Sequence, residues 1–136
     1  MPVGYSGTPL AKKLGYKSGF VVLLVDAPEH YPALLPTLPE EVSFVDADAA
    51  ESLDMLHAFF TQREQMEEAL PRLKSKIKKD GMLWISWPKG KSKIPSDIKE
   101  DHIRGAALAT GLVDVKVCAV DEDWSGLKLM YRKKDR

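Results

Sequence analysis

Apolar residues along this chain fall into two alternating patterns. Phe20-Val21-Val22-Leu23-Leu24-Val25 is an unbroken apolar run that ends at Asp26. A run of that length, rich in β-branched residues, cannot leave one face in water, so it predicts a strand covered on both sides at the centre of a sheet. Val42-Ser43-Phe44-Val45, ending at Asp46, predicts a second short strand, and Leu53 to Phe60 a third with His57 inside it. Thr61-Gln62-Arg63-Glu64 has the form of a capping box, and Met66, Leu70, Leu73 and Ile77 then recur at helical spacing. Pro71 removes one backbone bond and crowds the carbonyl of Glu67, which predicts a kink or a break into two shorter helices. The basic run Lys74 to Lys79 suits the negative pole of that helix, with Gly81 as its stop.

Gly81 to Pro88 predicts a fourth strand, ended by a proline that cannot continue the ladder. Ser96 or Asp97 is placed to cap the next helix, with Glu100 at capping-box distance from Asp97 and Gly111 closing the helix. From Leu112 to Val120 apolar and other residues alternate, Asp121-Glu122-Asp123 makes a turn, and Leu127, Leu129 and Tyr131 define a last strand. At the other end Thr8-Pro9-Leu10 through Leu14-Gly15 carries an N-cap, a proline and a terminal glycine, the signals of a short helix. Four prolines, Pro28, Pro32, Pro36 and Pro39, allow no more than a turn or two of helix between the first and second strands. Asp46 to Ser52 reads as a loop or one helical turn.

Strand and helix alternate as far as Thr110, and a hairpin follows. The expected fold is therefore α/β: a three-layer, Rossmann-like arrangement around a mainly parallel six-stranded sheet with a C-terminal antiparallel hairpin. The 136 residues suit one domain, 1–136, with 1–18 as an N-terminal loop and short helix and 133–136 as a tail.

Composition narrows the partners. The chain is 44% hydrophobic and 29% charged, in the range of globular proteins, and its 20 Lys plus Arg balance 20 Asp plus Glu. With no net field, bulk charge argues against a nucleic-acid partner or an anionic membrane. The single cysteine, Cys118, excludes an internal disulfide and a thiolate metal site, and His30, His57 and His102 lack metal-ligand spacing, so no metal is assigned. No run approaches the length of a membrane span and the N-terminus has no basic stretch leading into an apolar one, which reads as cytoplasmic.

Candidate chemistry gathers at the carboxyl ends of the strands, where open parallel sheets bind ligands. That edge collects Asp26, Glu29 and His30 after the first strand and Asp46 after the second. To these it adds Thr61, then Ser86, Trp87 and Lys89, with Trp124 and Lys128 brought in by the hairpin. Trp87, Trp124 and Lys89 would suit a planar anionic, nucleotide-like ligand by stacking and charge, and Asp26, Glu29 and Asp46 could accept from ribose or amine donors. A second candidate, an anion cradle, lies at Ser6, Gly7 and Thr8 with Lys12 nearby. His57 is expected to be a hydrogen-bonded core residue. Asp26-Ala27-Pro28-Glu29-His30 occupies the place of a glycine-rich phosphate turn and contains no glycine.

Residues of about 19 to 133, in their order of elements, resemble a class I methyltransferase domain with one βα unit missing after the second strand. That resemblance implies an S-adenosylmethionine site, and the missing glycines argue against it, so no cofactor is predicted. A more specific resemblance is to a family of small bacterial proteins of unknown function. It is carried by Gly4-Tyr5-Ser6-Gly7-Thr8-Pro9-Leu10, Lys13-Leu14-Gly15, Trp87-Pro88-Lys89, Gly111 to Cys118 and Trp124 to Lys128. The expectation is a non-catalytic protein that binds a small molecule or a protein partner on a degenerate methyltransferase scaffold. An active S-adenosylmethionine-dependent methyltransferase is the alternative.

Overall fold

The computed structural model describes residues 9–49 and 51–136. Its strands are β1 (Val21–Val25), β2 (Ser43–Phe44), β3 (Leu53–Phe59), β4 (Ile77–Pro88), β5 (Leu112–Ala119) and β6 (Trp124–Tyr131). Its α-helices are α1 (Leu10–Leu14), α2 (Tyr31–Leu34), α3 (Arg63–Lys74) and α4 (Glu100–Thr110), with turns of 3-10 helix at Ala47–Ala49 and Lys133–Asp135. The sheet runs β2-β1-β3-β4-β6-β5. β1 pairs in parallel with β2 and β3, and β3 with β4, whereas β6 is antiparallel to both β4 and β5. The expected three-layer α/β fold is present.

Strand alternation sends successive side chains to opposite faces and so sorts the core into two layers. Leu56, Ala58, Leu83, Ile85 and Leu127 pack against Met66, Leu70 and Leu73 of α3 and Ile103 and Ala107 of α4. Met55, Phe59, Trp84 and Trp124 pack on the other face against Ala11 and Leu14 of α1 and Tyr31 of α2. The indole Nε1 of Trp84 donates to the carbonyl of Leu14 at 2.8 Å, which ties α1 to the sheet.

Four local expectations are corrected. The centre of the sheet is β3 and β4, not β1, which lies one strand in from the edge and buries only Val22 and Leu23 fully. Pro71 does not break α3, which ends at Lys74 and so needs few bonds beyond the proline. Lys74 donates instead to the carbonyl of Thr110, serving the end of α4 at 2.8 Å. Gly81 is a strand residue: β4 already begins at Ile77, and its register jumps from Ile77 to Met82 while β3 advances only from Leu53 to Met55. The extra residues bulge outward, and Lys78 meets Asp54 at 2.8 Å while the other oxygen of Asp54 accepts the Val21 N–H.

Helix caps also differ from the local reading. Gln62 precedes α3 without a side-chain cap, and the Arg63 N–H donates instead to Asp97 Oδ1 at 2.6 Å. Asp97 is thus a cap for α3, and α4 begins later, at Glu100, with His102 Nδ1 accepting the Lys99 N–H. The expected Thr8 cap of α1 lies outside the described residues, and Pro9 holds the N-cap position.

A Cβ at Gly81 would sit 2.7 Å from the carbonyl oxygen of Leu53, whereas a Cβ at exposed Gly105 in α4 meets nothing within 4 Å. Gly81→Ala should cost about 1–3 kcal/mol by overpacking. Gly105→Ala should add about 0.5–1 kcal/mol by helix propensity. Urea titrations of the two variants should move their midpoints in opposite directions.

Candidate functional site

Because β1, β3 and β4 run in parallel, their carboxyl ends share one edge, and the winding reverses between β1 and β3 since β2 lies on the far side of β1. Such a reversal opens a crevice for ligands. Three loops meet at this edge. After β1, Asp26 adopts φ 55, a left-handed conformation that a glycine would enter more easily. The Tyr31 N–H donates to the Pro28 carbonyl and the Ala33 N–H to that of His30, at 2.9 and 3.0 Å, folding the turn onto itself. His30 Nε2 lies 2.6 Å from Asp121 Oδ2 in the β5–β6 turn, and Asp121 Oδ1 accepts the N–H groups of Asp123 and Trp124. Asp123 in turn accepts the Lys89 N–H on its carbonyl and the Ser92 hydroxyl on its carboxylate. The β1 exit, the β4 exit and the hairpin turn are therefore one connected rim.

On the β3 side of the reversal an open groove of about 500 Å3 is lined by Thr61, Gln62, Ile94, Pro95, Ser96 and Asp97. Its walls are fastened together by Asp97, whose carboxylate accepts from Arg63 and whose N–H donates to the Thr61 carbonyl at 3.3 Å. Thr61 was legible as an edge residue from the end of the third apolar run. The facing segment 94–97 was not, because its place depends on a long connection with no periodic signal.

Beneath the rim runs a buried polar chain. Tyr16 and Tyr31 share a hydroxyl–hydroxyl bond of 2.7 Å, Tyr31 Oη lies 2.9 Å from His57 Nδ1, and His57 Nε2 lies 2.7 Å from Ser86 Oγ. A neutral imidazole offers one donor and one acceptor, so the chain is satisfied with all its hydroxyls pointing in one direction. Burial pushes His57 down to about 3, Tyr16 up to about 12, and Tyr31 upward as well. His57 and Ser86 have no exposed surface. A serine beside a histidine has the outline of an activated nucleophile, but here no substrate can reach either group. The chain instead fastens α2 to the middle of the sheet. Its signal in the sequence was His57 and Ser86, each polar within an otherwise apolar strand and each needing an internal partner.

The residues singled out from the sequence separate into three groups. Asp26, Glu29 and Asp46 are exposed at the carboxyl edge, and His30 joins the rim. Ser86 is interior, on the polar chain. Trp87 packs with the α3–α4 layer and Trp124 with the α1–α2 layer, edge-on to Phe59 at 5.1 Å between centroids. The two tryptophans face opposite ways, so the expected stacking clamp with Lys89, which is half-buried on the rim, does not form. Lys12 is exposed on α1, while Ser6, Gly7 and Thr8 lie outside the described residues. Among the described residues no three His, Cys, Asp or Glu side chains are grouped to hold a metal ion, and no helix is long and apolar enough to cross a membrane.

A family described as a protein of unknown function, DUF3052, matches residues 11–133. The chain belongs to the DUF3052 family. A comparison with curated proteins returns no match. Among solved structures, this DUF3052 protein is similar to an S-adenosylmethionine-dependent methyltransferase from Aquifex aeolicus, with a TM-score of 0.69 at 16% identity over 90% of this chain and 88% of that one. The ribosomal protein L11 methylase of Lactobacillus delbrueckii subsp. bulgaricus gives 0.56 at 14% identity, over 90% and 74%. Fibrillarin from Aeropyrum pernix, solved with natively bound S-adenosyl-L-methionine, gives 0.55 at 15% identity, over 93% and 70%. The DUF3052 chain thus has the Rossmann-like methyltransferase fold.

Burial lowers His57 from 6.5 to about 3, so between those values the unfolded chain takes up a proton that the folded one refuses. The native state is then favoured fully above pH 6.5 and loses stability as pH falls toward 3, by at most about 1.4 kcal/mol per pH unit. His57→Gln should remove that increment from the slope of unfolding free energy against pH between about pH 4 and pH 6. Carboxylates contribute equally to both proteins. Tyr31→Phe leaves the Tyr16 hydroxyl and His57 Nδ1 each without a bonded partner and should cost about 1–3 kcal/mol at neutral pH, measured by urea unfolding.

Proposed function

We propose that this DUF3052 protein binds a small molecule without catalysing a reaction on it, using a methyltransferase scaffold whose cofactor turn has been rebuilt as a structural rim. The observation that carries this reading is the exit of β1. Close approach of a cofactor to a strand–helix turn requires glycines, and backbone N–H groups aimed outward from a helix start. Asp26-Ala27-Pro28-Glu29-His30 provides neither. Side chains project at every position, Pro28 and Pro32 have no N–H, and the N–H groups of Tyr31 and Ala33 are spent on carbonyls of the same turn. The fibrillarin neighbour carries S-adenosyl-L-methionine on this scaffold. The corresponding turn here does not fit that group, and no step is derived through it.

The groove between Thr61–Gln62 and Ile94–Asp97 is the place for a ligand. It adjoins the winding reversal, it is open to solvent, and it offers an apolar wall at Ile94 and Pro95 beside hydroxyl, amide and carboxylate groups. Ligand there would bear on Asp97, and through it on the first turn of α3. Neither a nucleophile nor a general base with a positioned partner faces the groove, which favours binding over chemistry.

Saturating S-adenosylmethionine should leave the melting temperature of the purified protein unchanged and give no heat in titration calorimetry. A shift of several degrees accompanied by a one-to-one heat would overturn the proposal in favour of an active methyltransferase. Native mass spectrometry of freshly purified protein is expected to show a retained small molecule, whose release should follow substitution of Thr61 or Gln62 by alanine.

A further inference from the structure

The net charge of the chain is zero, yet its cations are not evenly mixed with its anions. On the face covered by α1, Lys116 of β5 stands directly opposite Lys128 of β6. Like charges in that relation repel and are ordinarily avoided. Lys116 Nζ spends one of its three donors on the carbonyl of Lys13 at 2.8 Å. Lys128 Nζ lies beneath the end of α1, 3.9 Å from where a Cβ at Gly15 would be. Arg136 folds back over the same strand, its Nε donating to the Tyr131 carbonyl and its Nη2 lying 3.9 Å from Met130 Sδ. Lys17, just past the end of α1, completes the cluster.

The Lys128 side chain is half-buried, and among the described residues its ammonium makes no hydrogen bond or ion pair. Burial first, and then Lys116, Lys17 and Arg136, push its pKa down, and no carboxylate acts in the other direction. Positions 1–8 and 50 contain no acidic residue that could supply one. A half-covered ammonium among three other cations is costly for a fold to keep unless an anion from outside completes it.

We infer that Lys128, Lys116, Lys17 and Arg136 form a binding site for a small ligand carrying two adjacent phosphoryl groups. The two central lysines stand opposite each other on neighbouring strands whose backbones lie about 4.8 Å apart, near enough for one ligand with two linked phosphoryl groups to reach both. Four cations match the charge of such a group. Nucleic acid is the poorer fit, since it selects an extended basic stripe and a net positive field, and here the cluster is compact in a neutral molecule. This site shares no residue with the groove at Thr61–Asp97 and does not depend on the reading given for that groove.

The probe is inorganic pyrophosphate, titrated at constant ionic strength with sodium chloride as the reference. Wild-type protein should bind it and melt several degrees higher than in chloride alone. The K116Q/K128Q double variant should fold with at least wild-type stability, because a repulsive pair has been removed. It should bind pyrophosphate about tenfold more weakly for each lysine lost. Inorganic phosphate should bind more weakly than pyrophosphate. The proposal is overturned if pyrophosphate does no more than chloride, or if the double variant keeps wild-type affinity. It is equally overturned if phosphate binds as tightly as pyrophosphate, or if a short oligonucleotide uses these lysines while pyrophosphate does not.

Discussion

A strand covered on both faces must satisfy every polar side chain it carries from within the protein, and His57 in β3 is where that requirement shapes the rest of the molecule. Its two ring nitrogens demand partners on either side. Ser86 supplies one from the adjacent strand β4, and the other can come only from the layer above, which places the hydroxyl of Tyr31, and so α2, over the middle of the sheet. Tyr16 then closes the chain from the segment after α1. One buried imidazole thereby fixes the position of two short helices that have little apolar area of their own. Removing the whole chain in favour of apolar residues could be neutral in energy, but removing one member strands the others.

The same placement decides what the carboxyl edge can do. With Tyr31 held against His57, the five residues between β1 and α2 are drawn across the sheet, and His30 reaches Asp121 in the hairpin turn. The turn that would receive a cofactor in a nucleotide-binding fold is taut, side-chain-bearing and committed to its own hydrogen bonds. What remains open lies one strand over, beyond β3, where Asp97 joins the two walls of the groove and at the same time caps α3. The scaffold of this DUF3052 protein is that of methyltransferases, and its turn after β1 is closed by hydrogen bonds of its own.

Much of the architecture was legible because burial writes itself into periodicity. Apolar runs and alternations located all six strands, and the prolines between Asp26 and Glu41 announced the abbreviated α2. The failures share one physical cause, which is that a distant neighbour outranked a local rule. Asp97 with Glu100 looks like the start of a helix, but the Arg63 N–H, far away in sequence, claims its carboxylate. Lys78-Lys79-Asp80-Gly81 looks like the end of a helix, but pairing with β3 draws it into a bulged strand. Trp87 and Trp124 both lie at the right edge, and only the register that sets Pro88 opposite Trp124 shows that they face different layers. His57 and Ser86 were visible as polar residues in apolar strands, whereas the tyrosines that complete the chain come from irregular segments that no periodicity marks.

Charge segregation on this fold follows from the same asymmetry between its two faces. The α3–α4 side pairs its charges locally: Arg104 is bonded to Glu100, Asp101 and Asp114, and Arg63 to Glu67. Such exposed pairs add little stability, but each sets a cation beside an anion. On the opposite side α1 contributes Lys12 and Lys13, and β5 and β6 add Lys116 and Lys128 beneath it. Lys128 lies mid-strand in β6 beneath the end of α1, half-covered, close enough to solvent to meet an anion and buried enough to gain from one.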